Sequence, residues 1–250
     1  MIKVLINGCN GKMGQEVAKI VDLDSDLVLV GGLDKENTGE YNFPVYTDYN
    51  DIKEHVDVII DFSIPIATLK ALEYAKAKHI PIVIATTGFS KEQEAQIKES
   101  SKEIPIFKSA NMSLDINLMC RIVSNLAQIL KDNDIEIIET HHNRKIDSPS
   151  GTAMLLADSI NKALDNSMSY EFNRHDKHEK RNKKEIGISS IRGGNIVGEH
   201  SVIFFSENES FEIKHTAYSR SLFAEGAVRA AKFIANNDIR SGIYDMNDIK

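Results

Sequence analysis

Apolar positions in the first hundred residues follow two alternating rhythms. Short β-branched runs at residues 2–6, 27–33, 56–62, 82–86 and 104–107 predict buried strands. Between them, Met13, Val17, Ile20 and Val21 recur at helical spacing, and residues 65–78 and 90–101 predict two further helices. Strands alternating with helices imply an α/β domain with a parallel sheet covered on both faces. From about residue 112 the rhythm changes. A helix over 113–131 leads to a strand at 135–141, a polar loop at 142–150 and a helix at 151–164. Three β-like runs follow at 186–191, 196–206 and 210–218, predicting an α+β domain with a mixed or antiparallel sheet. The last helix, 222–235, is expected to return to the first domain. The expected division is therefore residues 1–111 with 219–250, and residues 112–218. The charged stretch RHDKHEKRNKK at 174–184 reads as a mobile, mostly solvated loop.

Composition narrows the function classes. The net charge of −7 over 250 residues disfavours general binding to nucleic acid or an anionic membrane surface. Apolar runs such as residues 82–85 fall far short of the roughly 18 residues a membrane span needs. The N-terminal residues show no apolar signal region. Two cysteines, Cys9 and Cys120, make neither a disulfide framework nor a cysteine metal site. The expectation is a cytoplasmic protein with no nucleic-acid and no membrane partner.

Two segments carry chemistry. The first is Gly8-Cys9-Asn10-Gly11-Lys12-Met13-Gly14, placed after the first strand and opening a helix. Glycines there allow a tight turn and close backbone approach to a pyrophosphate, which the N–H groups and positive dipole of the helix start can hold. Asp34 stands 20 residues after the third glycine, where a carboxylate can hold ribose hydroxyls. The other reading is a strand-to-helix turn without ligand. Asp34 favours a free 2′-hydroxyl, whereas Lys12 and Lys35 offer charge for a 2′-phosphate, so use of both NADH and NADPH is the simplest inference. Cys9 reads as a packing residue.

The second segment runs from Glu139 through Thr140, His141, His142, Asn143, Arg144, Lys145, Ile146, Asp147, Ser148, Pro149, Ser150, Gly151 and Thr152 to Ala153. His141, His142 and Lys145 bring proton-transfer groups of different basicity within five residues. The Ser150-Gly151-Thr152 helix start offers N–H groups to a carboxylate. The combination suits an anionic substrate protonated as it is reduced. Alternative readings are solvated loop charges, structural capping, or a metal pair at the histidines. No third ligand stands at a zinc-site spacing, so no metal is expected.

With both segments in view, the sequence resembles the 4-hydroxy-tetrahydrodipicolinate reductase family over essentially its whole length. The most specific element is the 139–153 segment. Asp61-Phe62-Ser63, Ala85-Thr86-Thr87-Gly88-Phe89, Ser109-Ala110-Asn111-Met112-Ser113 and the 192–200 stretch Arg-Gly-Gly-Asn-Ile-Val-Gly-Glu-His support it. The resemblance implies a Rossmann-type dinucleotide-binding domain, a substrate and oligomerisation domain with a mixed sheet, and a homotetramer. It implies hydride transfer from NADH or NADPH to a small dicarboxylate. His141 matches a proton donor/acceptor and Lys145 a proton donor. His142, Ser150, Gly151, Thr152 and Thr87 match substrate contacts. Gly8, Cys9, Asn10, Gly11, Lys12, Met13, Asp34, Lys35, Ala85, Thr86, Thr87, Ala110, Asn111, Met112 and Ser113 match cofactor-binding stretches. Hinges would fall near Asn111 and Ser219-Arg220. Ser148 stands where the family usually has alanine, and Ala85 where many members have glycine. Rival readings are a Rossmann dehydrogenase related to aspartate-semialdehyde or homoserine dehydrogenases, and a non-catalytic nicotinamide-binding sensor. The semialdehyde chemistry needs a catalytic cysteine, but Cys120 is predicted to sit mid-helix. The sensor does not require the His141, His142 and Lys145 set.

Overall fold

The computed structural model describes residues 1–38, 41–172, 174–175, 177–236 and 238–249. The chain divides into two compact units, Met1–Ser113 with Arg220–Lys250, and Leu114–Ser219. In chain order the elements are β1 (Ile2–Asn7), α1 (Lys12–Leu23), β2 (Leu27–Leu33), β3 (Val45–Tyr46), β4 (Val58–Asp61), α2 (Pro65–Lys78), β5 (Ile82–Ile84), α3 (Lys91–Ser100) and β6 (Pro105–Lys108). They continue with α4 (Leu114–Ile129), β7 (Asp134–His141), α5 (Gly151–Ala163), β8 (Ser169–Glu171), β9 (Glu185–Arg192), β10 (Gly198–Phe205), β11 (Ser210–Ala217), α6 (Ser221–Ile234) and β12 (Gly242–Tyr244).

The first unit is built on a seven-stranded sheet in the order β12-β6-β5-β4-β1-β2-β3, with parallel pairing throughout. Ile59, Ile60, Ile82, Val83, Ile106 and Phe107 are fully buried, which is why the central strands read as unbroken apolar runs rather than alternating ones. The strand order reverses beside β1, so the carboxyl ends of β1 and β4 open a crevice, the usual ligand position in such sheets. Helix α1 buries Val17, Ala18 and Val21. Helix α6 buries Ala224, Ala227, Val228, Ala230, Ala231 and Ile234, and packs on α1, β4, β5 and β6 of its own unit. Its small residues allow close approach. A Cβ added at Gly226 would overlap the Met112 carbonyl.

The second unit carries a mixed five-stranded sheet in the order β11-β10-β7-β9-β8. Its β7 pairs antiparallel with β10 and parallel with β9. One face, with Ile135, Ile137, Ile186, Ile188, Val202 and Phe204, is buried with Met119 and Val123 of α4 and Leu156 and Ile160 of α5. Residues one position out of phase, Ile138, Ile191 and Phe205, are 37%, 51% and 40% exposed and mark the opposite face.

Strands β3, β8 and β12 were not expected from the sequence. They are two or three residues long and are defined by pairing with a neighbour, such as Val45 with Gly32, rather than by an apolar period. The charged run is mostly exposed among the described residues, as expected, but its two arginines are half-buried. Arg181 donates to the Asp134 and Glu136 carboxylates at 3.1 Å and to the carbonyls of Ile135 and Glu185 at 2.8 Å. Arg174 pairs with Glu185 and Lys177 with Glu171. His178, Lys180, Lys183 and Lys184 are exposed, whereas Asp176 lies outside the described residues. Arg181 therefore fastens this stretch to the start of β7, and Arg174 fastens it to the start of β9.

Candidate active site

The glycine-rich turn sits in the first unit, in the crevice at the end of β1. Gly8 has φ +83, a left-handed conformation, and an added Cβ would stand 2.5 Å from the Phe62 carbonyl oxygen. Gly14 backs onto Gly8 and Cys9 so closely that no side chain fits between helix and turn. Gly11 occupies the N-cap of α1 and has no side chain to cap with, leaving the first-turn N–H groups available to a ligand. Asp34 is brought against this turn. Its carboxylate accepts from Asn10 N–H and Lys35 N–H, each at 2.8 Å. The Asn10 amide reaches the Glu36 carbonyl at 2.9 Å, tying the turn to the segment after β2. A cleft of about 660 Å³ runs past Asn7, Gly8, Asn10, Gly11, Asp34 and Lys35. Lys12 is exposed and Met13 half-buried.

Cys9 is fully buried against Gly32, and burial, with the Asp34 charge nearby, pushes its thiol up to about 11. That suits packing, as expected. Beneath the crevice lies a buried carboxyl that the sequence reading had not singled out as a site residue. Asp61 accepts from Asn7 Nδ2 at 2.6 Å, Ser63 Oγ at 2.5 Å and Thr68 Oγ1 at 2.6 Å. Burial raises its pKa, opposed by these hydrogen bonds and one from Thr86. Thr86 Oγ1 in turn accepts from Ser63 N–H at 2.9 Å. The network joins the carboxyl ends of β1, β4 and β5.

Ala85 and exposed Thr87 flank Thr86 on the segment after β5. Ala110 is exposed, whereas Asn111, Met112 and Ser113 are buried. The Asn111 side chain accepts from Ser113 N–H at 2.8 Å.

The second polar cluster belongs to the other unit, and there the sequence residues converge. Glu139 and His141, two apart on β7, share one face. Glu139 is fully buried and accepts from Arg192 Nη1 at 2.9 Å, Arg192 Nη2 at 2.7 Å, Ser150 N–H at 3.2 Å and His141 Nδ1, with the Ser190 hydroxyl as a further donor. Burial alone would raise its pKa, but the Arg192 guanidinium and the other donors hold it at about 2. Burial pulls the His141 imidazole below the usual histidine range, against the opposing pull of Glu139. Lys145 pairs with Asp147 at 2.8 Å, and Arg192 also holds the Asp147 carbonyl at 2.7 Å.

Ser150 is the N-cap of α5, its hydroxyl accepting from Ala153 N–H at 3.1 Å. The same hydroxyl meets His200 Nε2 at 3.1 Å. Ser150 is only 2% exposed, so its hydroxyl serves the helix start, while Gly151 is exposed and Thr152 half-buried. His142 follows the strand, its N–H bound to the Ile196 carbonyl at 2.8 Å. Thr87, grouped with these residues by sequence, lies in the first unit.

Glu139, Arg192 and His200 lie within the 139–153 and 192–200 segments but are not among the site residues expected from sequence. The available signal was Glu139 itself, an acid on the apolar face of a strand, which needs a buried partner. Glu139, His141 and His200 also bring three ligand-type atoms within 4.8 Å of one another. Arg192 covers both Glu139 oxygens with positive charge, so the trio is poorly suited to a cation.

Residues 2–112 match the family model described as dihydrodipicolinate reductase, N-terminus, and residues 115–249 match dihydrodipicolinate reductase, C-terminus. The chain is 49% identical over 249 residues to the 4-hydroxy-tetrahydrodipicolinate reductase of Caldanaerobacter subterraneus subsp. tengcongensis, covering 100% of this chain and 98% of that one. It is 46% identical to the Clostridium tetani protein of the same name, covering 99% and 96%. A dipicolinate-bound dihydrodipicolinate reductase from Paenisporosarcina sp. TG-14 superposes with a TM-score of 0.81 at 26% identity, over 99% of each chain. An engineered D-amino acid dehydrogenase bound to NADP+ shares the fold, with a TM-score of 0.60 at 14% identity over 100% of this chain and 94% of that one. The chain belongs to the dihydrodipicolinate reductase family.

Proposed function

We propose that this protein catalyses NADH- or NADPH-dependent reduction of 4-hydroxy-tetrahydrodipicolinate to tetrahydrodipicolinate and water, in the diaminopimelate route of lysine biosynthesis. The observation that carries this reading is the cluster in which Glu139, clamped by Arg192, holds His141, close in sequence to Lys145 and tied through Ser150 to the start of α5. The relatives named above carry the same activity in their names.

The first unit fits a pyridine dinucleotide. The left-handed Gly8, the uncapped start of α1 and Asp34 beside Asn10 are what a pyrophosphate and a ribose require. Gly8 to Met13, Asp34, Lys35, Ala85 to Thr87 and Ala110 to Ser113 form this cofactor-binding set. When bound, the nicotinamide supplies the hydride. The chain's own residues do the rest. The N–H groups at Gly151 and Thr152, with His142 and the Lys145 ammonium, bind substrate carboxylates, and Thr87 adds a contact. Lys145 donates a proton to the reduced ring, and His141 exchanges protons at its Nε2. Ser150 shapes the helix start.

The enzyme is read as a cytoplasmic homotetramer. The uncovered sheet face with Ile138, Ile191 and Phe205 supports assembly through the second unit. Among the described residues, no helix is long and apolar enough to cross a membrane.

A coupled assay tests the activity. Pyruvate and aspartate semialdehyde are condensed by the upstream synthase, and NADH or NADPH oxidation is followed when this protein is added. Synthase-dependent oxidation is expected; none with either cofactor, from folded protein that binds NADH, refutes the reading. His141→Ala and Lys145→Ala should each lower turnover on the order of 10²–10⁴-fold. NADH affinity, read by fluorescence titration, should change little, because both residues lie outside the unit that holds the phosphate turn.

A further inference from the structure

We propose that Glu139, clamped by Arg192, is a positioning residue that fixes the tautomer of His141, so that Nδ1 carries the proton and Nε2 presents its lone pair to the substrate. This rests on the reading of His141 as a proton-handling group.

Donors and acceptors must balance around the Glu139 carboxylate. Each Glu139 oxygen already faces donors. Oε1 takes Arg192 Nη2 and Ser150 N–H, and Oε2 takes Arg192 Nη1 and the His141 ring. Arginine has no lone pair to offer, and the carboxylate held by its two-pronged contact has no proton to give. His141 Nδ1 must therefore be the donor in that hydrogen bond, which for a neutral imidazole leaves Nε2 unprotonated. Nε2 has no partner among the described residues. Room in front of it exists because residue 198 is glycine, where an added Cβ would stand 3.1 Å away. The other groups around the ring are His200, packed edge-on at 5.1 Å between centroids, and the positive charges of Lys145 and Arg192, both of which disfavour a proton on it. Glu139 also grips Ser150 N–H, so one carboxylate sets both the imidazole and the start of α5.

Replacing Glu139 by glutamine gives a specific expectation. An amide NH2 in place of Oε1 would confront two donors that cannot change. In place of Oε2 it would confront Arg192 Nη1, which cannot change, and His141, which can respond by moving its proton to Nε2; the Ser190 hydroxyl, which also bonds this carboxylate, turns to donate or accept and does not fix the amide's orientation. Glu139→Gln should therefore invert the tautomer while the remaining carbonyl oxygen still holds Ser150 N–H and Arg192. The expected result is kcat lowered on the order of 10²–10⁴-fold, the range for a general base with its proton misplaced, with KM affected much less. Glu139→Asp, which keeps the charge, should recover the tautomer and part of kcat.

The test is long-range proton–nitrogen correlation NMR on full-length protein labelled with ¹⁵N-histidine, with His141 assigned by its loss in His141→Asn. Wild-type protein at neutral pH should show Nδ1 of the protonated type and Nε2 of the unprotonated type, and Glu139→Gln the reverse. The opposite tautomer in the wild type overturns the proposal without requiring any variant to fold. So does a Glu139→Gln protein that keeps both wild-type kcat and wild-type tautomer. Wild-type turnover in His141→Asn would instead sink the proton-handling role of His141, and the NMR result would still judge the tautomer on its own.

Discussion

Asp34 accepts two backbone N–H groups and still stands at the edge of the cleft beside Gly8 and Gly11. A carboxylate there accepts from a ribose 2′-hydroxyl and repels a 2′-phosphate. Asp34→Ala should weaken NADH on the order of tenfold, as expected for hydrogen bonds to a charged group. NADPH should lose less, because removing the repulsion offsets the loosened contact to Asn10. Fluorescence titration with each cofactor checks this, and equal changes for both would remove Asp34 from cofactor choice. Sequence spacing alone pointed to Asp34, because the distance from turn to acid is set by one helix and one strand. It could not point to Arg192, which is 53 residues from Glu139 in the chain and meets it only across the β7–β9 pairing.

At the scale of elements, the start of α5 shows how a local signal acquires a tertiary role. Ser150 was legible as a helix cap, and it caps Ala153 N–H. Its N–H bond to Glu139 depends on the chain folding back against β7, and its hydroxyl bond to His200 on β10 lying beside β7. Ser150→Ala removes the cap and leaves His200 Nε2 without its partner. The loss should be about 1–2 kcal/mol, a fall of a few degrees in Tm by calorimetry. An unchanged Tm would mean that the hydroxyl contributes nothing beyond the helix backbone. The long elements were predictable because each carries either an unbroken apolar run or an apolar spacing within its own segment. The three short strands and the fastening of Arg181 were not, since a two-residue strand has no period and an arginine's partners lie 45 to 47 residues away.

For the molecule as a whole, buried titratable groups set the acid limit of stability. His200 is 4% exposed, its Nδ1 has no partner among the described residues, and burial with His141 nearby pushes its pKa down to about 3. The unfolded chain binds a proton near 6.5 and the folded one does not, so this contribution is complete above pH 6.5 and lost progressively between 6.5 and 3. Glu139, held at about 2 against 4.5, has the same sign in a lower window, its contribution being lost as pH falls from 4.5 to 2. Stability should drop by about 2 kcal/mol between pH 7 and 5 from His200 alone. Denaturant titrations at both values check this, with His200→Gln expected to flatten the fall. An equally steep fall in that variant would assign the effect elsewhere. The sequence by itself determined the alternation of strands and helices, the glycine-rich turn with its acid, and the cluster of histidines and lysine, because each is written in local spacing. Only the tertiary structure decided which side chains share a buried carboxylate, which nitrogen of His141 is left open and which cations of the charged run are held. Those depend on strands distant in the chain coming to lie 4.7–4.9 Å apart.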